Sequence, residues 1–313
     1  MRVVVLGSAA RGGGPGWACA CPSCQATRPP GGAAKPRSRD SIAVSADGRR
    51  WVLLNVSPDI TRQIESSGVL EARADAAERG AGAPSRAIVG AVLTNGALDH
   101  SMGLLSLRPW TALCLYATRE TYAGLVVKGA IFRLLERQRR HVLYRPLELD
   151  VFIPLRDVSG VASGLSLCAF PVAGEVPQHL ESFVKATDET NVGLIVRDDC
   201  TGARLLYVPG AATAAGIAER ARDATCLFFD GTFWSDAELT ALGRASRSSR
   251  QLAHLPVSGP GGSLKQLDTL PIRQRYYTHV DDANPMLREG SQERREVEAR
   301  GWCVAEDGLE LSL

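Results

Sequence analysis

The dipeptide Asp47-Gly48 stands between two apolar runs, Ser41–Ala46 and Trp51–Val56. That pattern predicts a β-hairpin, since glycine supplies the backbone freedom a tight turn needs. A third run, Ile88–Thr94, is apolar throughout and reads as a buried strand. Residues 2–7 and Leu113–Ala117 have the same character, and further strands are expected at 165–170, 191–197, 203–208, 225–230 and 274–279. A helix start at Ser57-Pro58-Asp59, a helix over Ser101–Leu107 and a mixed helical stretch to about Arg140 fall between the early strands. Helices over 211–222, 235–243, 263–270 and 291–299 fall among the later ones. Hairpins first, then strands alternating with helices, predict a layered α/β protein with mixed sheets covered by helices.

The 313 residues are 45% hydrophobic and 22% charged, which is ample for a sizeable core. The net charge of +2, from 36 basic and 34 acidic residues, excludes an extended nucleic-acid surface. It also gives no polybasic signal for a membrane. Met1–Gly7 is too short an apolar stretch for a signal peptide, and no run approaches the ~18 apolar residues of a membrane span. A cytoplasmic protein is expected, in which clustered cysteines point to metal or catalysis before disulfides. No repeat at solenoid spacing is visible. The glycines after the first strand form neither a dinucleotide fingerprint nor a phosphate loop. Residues 71–86, rich in Ala, Gly, Arg and Glu, read as an exposed insertion.

Within the Gly- and Pro-rich segment 8–40 lies Cys19-Ala-Cys21-Pro-Ser-Cys24. Three thiolates in six residues can wrap one ion, and zinc takes such soft donors in a tetrahedron, so a fourth ligand is needed from elsewhere. Cys114, Cys168 and Cys226 sit in apolar strands and read as core.

Three more segments carry chemistry. Leu93–Leu105 runs from a buried strand into a helix and places Asp99 and His100 at the junction. A helix cap with a surface histidine would explain them equally well. Tyr276–Pro285 again runs from a strand into a polar turn, with His279, Asp281 and Asp282. With Asp99 and His100, His279 completes two histidines and one carboxylate, the set that suits non-haem Fe(II) with open positions. His254 precedes a glycine-rich turn and a helix start at about Ser263, a place for an anionic group or for a histidine that merely fixes the loop. His141 and His179 have no such context.

Together these segments resemble the coenzyme PQQ synthesis protein B family (PqqB), of the metallo-β-lactamase fold superfamily. The matching stretches are Met1–Gly14, Cys19–Cys24, Ser41–Asp59, Leu93–Arg108, Phe229–Asp236, His254–Leu264 and Tyr277–Leu287, in the expected order. Residues 119–190 match poorly. The resemblance implies a single domain over 1–313, a four-layer αββα sandwich with the site at one sheet edge and a zinc-binding loop at about 8–40. Hydrolases of the superfamily carry His-x-His-x-Asp-His. Here Asn95 and Ala97 take the leading histidine positions, where PqqB proteins usually have Asp and Gln, and Pro209 stands where a bridging Asp would be. A dinuclear hydrolytic centre is therefore not expected.

The resemblance implies a step in making pyrroloquinoline quinone, namely iron-dependent hydroxylation of the tyrosine ring in a cross-linked Glu–Tyr peptide-derived precursor. Asp99, His100 and His279 would hold Fe(II) or a second zinc. His254 would orient substrate carboxylates or transfer a proton. Cys19, Cys21 and Cys24 would hold structural zinc, with Asp282 as fourth ligand, because relatives carry a histidine at that offset, and His254 as the alternative. Alternatives are a carrier for the quinone or its precursor, a degenerate one-zinc hydrolase, and a relative recruited to another peptide-derived pathway. Expected partners are the precursor and other proteins of the pathway, with a homodimer allowed and neither nucleic acid nor membrane.

Overall fold

The computed structural model describes residues 1–30, 32–68, 70, 88–107, 112–129, 131–137 and 142–313. The expected insertion at 71–86, the end of the helical stretch at 138–140 and His141 lie outside the described residues.

Among the described residues, fourteen strands form two seven-stranded sheets. They are β1 (Arg2–Gly7), β2 (Ser41–Ser45), β3 (Trp51–Leu54), β4 (Ile88–Val92), β5 (Leu113–Ala117), β6 (Val142–Pro146), β7 (Phe152–Arg156), β8 (Ala162–Pro171), β9 (Val192–Asp198), β10 (Arg204–Val208), β11 (Cys226–Asp230), β12 (Gln274–Thr278), β13 (Cys303–Val304) and β14 (Glu310–Ser312). The first sheet has the order β14-β1-β2-β3-β4-β5-β6 and the second β13-β12-β11-β10-β9-β8-β7. Each sheet is antiparallel at one side and parallel at the other.

The sheets pack face to face. Val3, Ile42, Val52, Leu54 and Val92 from the first meet Leu167, Leu194, Val196, Tyr207 and Phe228 from the second in one buried core. The opposite face of the first sheet is covered by the helix Ile60–Ser67 through Ile60 and Ile64. The opposite face of the second is covered by Leu264 and Val297 from the helices Ser263–Gln266 and Gln292–Ala299, and by Leu267 just after the first of them. Three apolar interfaces therefore separate four layers, as expected for an αββα sandwich. Each fully buried Leu, Ile or Phe in them contributes roughly 1.5–3 kcal/mol.

The hairpin forms with Gly48 at φ 70° and the Asp47 carboxylate accepting from the amides of Arg49 and Arg50. Cys114, Cys168 and Cys226 are buried as expected. The helices are shorter than their patterns predict. The stretch over 101–107 is two short turns, Leu98–Ser101 and Leu104–Leu107. It breaks at Gly103, whose amide donates to the Val56 carbonyl and whose Cβ, if present, would lie 2.1 Å from the Ser57 carbonyl oxygen. The Ala-rich 211–222 keeps one turn, Ile217–Arg220, because Gly216 sits at φ 75° in the left-handed region and interrupts any helix running through it. Stretches 235–243 and 263–270 shrink to Glu238–Ala241 and Ser263–Gln266. Asp59 precedes its helix without capping it, since its carboxylate pairs with Arg39 instead.

Candidate metal centre

Parallel strands deliver their carboxyl ends to one edge, and the chemically active side chains gather there. β4 leads into Asn95–His100, β11 ends at Asp230, and β12 leads into His279, which sits at φ 55°. A non-glycine residue in that left-handed region is uncommon and marks a position fixed by its surroundings. The turn is held by backbone bonds of Val280 to Ser8 and Ala10.

Ligand-capable atoms of Asp99, His100 and His279 lie within 4.8 Å of one another, and all three residues are buried. His279 Nε2 is 3.2 Å from Asp99 Oδ2, close to the spacing of about 3.3 Å between two tetrahedral donors on one ion at zinc–nitrogen and zinc–oxygen bond lengths. His100 is 2% exposed, and its Nε2 has no hydrogen-bond partner. A buried polar atom without a partner costs stability unless something else occupies it. A metal ion between these three side chains satisfies that nitrogen, so the donor set fits the metal that the fold implies.

The electrostatics agree. Burial pushes the His100 imidazole down to about 4, which keeps it neutral at pH 7. Burial opposes the charge of Asp99, but His100 and His279 beside it hold the carboxyl well below its usual range. Burial opposes the charge of His279 too, yet the Asp99 hydrogen bond and the charges of Asp99, Asp40 and Asp230 push it up to about 9. In the metal-free protein His279 is therefore a cation beside Asp99, and its proton stands where a metal would be.

A second trio, Asp230, His254 and His279, also meets the distance test. Counting lone pairs argues against a second ion there. Asp230 already accepts four bonds: from Ala211 N, His254 Nδ1, Thr232 N and Thr232 Oγ1. A carboxylate offers about four such sites, so none remains. Asp230 instead orients His254, holding Nδ1 at 2.7 Å and leaving Nε2 for other partners. Sequence reasoning singled out His254 but passed over Asp230. Its signal was a carboxylate at the end of the apolar run Cys226–Phe229, where it is fully buried.

The glycine-rich turn after His254 is not an anion site. Its helix has four residues, and the amides of Gly262, Ser263 and Leu264 are bonded to Gly259, Pro256 and Val257 carbonyls. His179 lies in a short turn, with burial lowering its pKa.

The three cysteines converge as expected. Cys21 and Pro22 start a short helix that buries Cys24, and the Sγ atoms of Cys19, Cys21 and Cys24 lie within 4.8 Å of one another. Backbone amides of Gly16 and Cys21 donate to Cys24 and Cys19 sulfur. Asp282 Oδ2 is 3.2 Å from Cys24 Sγ, while its Oδ1 is held by Arg244 at 2.7 Å. Burial, then the Asp282 contact, pushes the Cys24 thiol far up in the metal-free protein, so a cation there would displace protons. Asp282 touches Cys24 but is not in the group of atoms that lie within 4.8 Å of one another, and His254, the alternative fourth ligand, stands with Asp230 and His279, not with the cysteines.

The comparisons with known proteins bear on this geometry. A family model described as "Beta-lactamase superfamily domain" matches residues 50–280. Coenzyme PQQ synthesis protein B of Rhizobium meliloti (strain 1021) is 39% identical over 318 residues, covering 100% of this chain and 98% of that protein. The chain belongs to the coenzyme PQQ synthesis protein B family. The crystal structure of a Zn(2+)-bound PqqB from Methylobacterium extorquens is 37% identical, with a TM-score of 0.89 and full coverage of both chains. A diphosphatase of the PhnP family, 21% identical with a TM-score of 0.66 and covering 100% and 97% of the two chains, shares the fold. Within this PqqB-family chain the described residues include no helix long and apolar enough to cross a membrane.

Proposed function

We propose that this chain performs a metal-dependent step of PQQ synthesis, hydroxylating the tyrosine ring of the cross-linked Glu–Tyr peptide-derived precursor. Family membership supports the pathway. The observation that carries the chemistry is the unpartnered Nε2 of buried His100 beside Asp99 and His279. Two histidines and one carboxylate are the set that holds non-haem iron with positions left open. Bound there, iron supplies the redox chemistry that oxygen insertion needs and that zinc, which has no redox states, does not.

The protein's own groups do the rest. Asp99 carries the negative charge of the ligand set. Asp230 keeps His254 in one orientation, with Nε2 free to take or return a proton at the substrate. The other three donors, Cys19, Cys21 and Cys24, hold a structural zinc ion with Asp282 as fourth ligand. This staple ties the loop at 8–40 to the turn that carries His279.

The test is direct. Purified protein loaded with Fe(II), given the cross-linked peptide, O₂ and a reductant such as ascorbate, is expected to add one oxygen atom to the tyrosine ring by mass spectrometry. His100→Ala is expected to abolish it. A one-zinc hydrolase is the second reading, favoured by the Zn(2+) in the Methylobacterium extorquens relative. Turnover of generic esters with zinc, and no oxygen incorporation with iron, would decide for it.

A further inference from the structure

His100 Nδ1 has two neighbours, Asn95 Oδ1 at 2.8 Å and Thr94 Oγ1 at 3.3 Å. Which ring nitrogen carries the proton depends on whether these neighbours donate or accept. Each is the end of a hydrogen-bond chain that begins at a backbone group, and backbone groups have only one polarity.

The Asn95 side is anchored twice. The Ala97 amide, which can only donate, bonds Asn95 Oδ1 at 3.0 Å. That atom is therefore the amide oxygen, and Nδ2 points the other way, to Asn191 Oδ1 at 3.1 Å. Asn191 is held in that sense because its own Nδ2 donates to the Glu175 carbonyl, which can only accept, at 2.9 Å.

The Thr94 side gives the same polarity. The Thr94 amide donates to Asn55 Oδ1 at 3.0 Å, and the Thr94 hydroxyl hydrogen goes to that same oxygen at 3.1 Å. Asn55 Nδ2 then faces the Tyr207 hydroxyl, whose hydrogen goes to Asp40. That arrangement leaves Thr94 Oγ1 an acceptor toward His100, in keeping with the polarity that the Asn95 side sets. Both neighbours of Nδ1 are acceptors, so Nδ1 carries the proton and Nε2 keeps its lone pair. Thr94 lies beyond the usual range for an N–H···O bond, so the 2.8 Å contact from Asn95 is the one that holds.

We propose that Asn95 is a positioning residue that fixes His100 in the Nδ1–H tautomer, with Asn191 as its anchor, so that His100 is a ready-made metal ligand before any ion arrives. This rests on the Asp99–His100–His279 reading for its purpose, but the tautomer itself does not. Partners of this kind on ligating histidines typically change metal affinity by about 10–100-fold.

The experiment reads both. In metal-free protein with ¹⁵N-labelled histidine, the His100 resonances, identified by their loss in His100→Gln, are expected to show a single Nδ1–H tautomer at neutral pH. Asn95→Leu is expected to mix the tautomers and weaken Fe(II) binding by about 10–100-fold, measured anaerobically on protein whose cysteines are already filled with zinc. Asn95→Asp keeps the acceptor and is expected to retain the tautomer with affinity within a few-fold. Asn191→Ala, remote from the ion, is expected to give a smaller loss in the same direction. A wild-type His100 protonated at Nε2 overturns the proposal, as does an unchanged tautomer and affinity in Asn95→Leu. Should Asn95→Leu fail to fold, the wild-type spectrum together with Asn191→Ala decides. The expected tautomer in a wild type that binds no Fe(II) would leave the relay standing and remove the iron site instead.

Discussion

The proton on His279 makes a quantitative prediction about the metal-free protein. Its ordinary pKa is 6.5, and in the fold it is pushed up to about 9 by Asp99, Asp40 and Asp230 against the opposing effect of burial. A group whose folded pKa lies above its unfolded one stabilises the fold fully below pH 6.5. That contribution is lost as pH rises through 9. At about 1.4 kcal/mol for each decade, the rise corresponds to about 3 kcal/mol. Glu238, which burial pushes up to about 8, acts in the same direction, so His279 must be isolated by difference. Urea unfolding in the presence of a chelator, for wild type and His279→Gln at pH 6.5 and pH 9.5, does this. The stability advantage of wild type is expected to shrink by about 3 kcal/mol between the two pH values. An advantage that does not change with pH would refute the Asp99–His279 ion pair.

Other consequences are independent of that proton. Asp230→Asn is expected to lower turnover by about 100-fold or more with iron still bound, since Asp230 orients His254 directly and reaches the ligand His279 only through Thr232 and at a distance by its charge. A parallel loss of iron would show that Asp230 belongs to the metal site. Cys21→Ser is expected to release the zinc of the cysteine loop and to lower the thermal midpoint. A zinc-free variant as stable as wild type would remove the staple. Gly103→Ala is expected to destabilise by about 1–3 kcal/mol in thermal unfolding, because the added methyl meets the Ser57 carbonyl.

What the sequence discloses follows from how local each signal is. Strands β4 and β11 are legible because both faces are buried over most of their length, so Ile88–Val92 and Cys226–Phe229 carry no polar side chain. The hairpin is legible because Asp47-Gly48 acts within a few residues. Strands β6, β7, β13 and β14, the edge strands of the two sheets, escape because most of their positions are exposed or half-buried, so that the backbone ladder rather than an apolar pattern defines them. The helices over 101–107 and 211–222 are overestimated because propensity is a weak preference, which the tertiary bond of the Gly103 amide and the left-handed Gly216 override. In the site, Asp99, His100 and His279 are legible as polar residues at strand ends, and the cysteines as a cluster. Asp230 and Asp40 are not, since their roles lie in contacts across long separations, and Asn95 shows in the sequence only as a replaced histidine, not as a partner of His100. Asp40, for instance, receives hydrogen bonds from Tyr207 and Thr278, and burial pushes it up to about 6.

Metal occupancy decides whether Asp99, His100 and His279 hold an ion together. Purified wild type, His100→Ala and His279→Ala, each with zinc in the cysteine loop, are loaded anaerobically with Fe(II), desalted and assayed for iron and zinc. The account predicts one iron per chain in wild type, little or none in either variant, and the same zinc content in all three. Iron occupancy unchanged in both variants would contradict it.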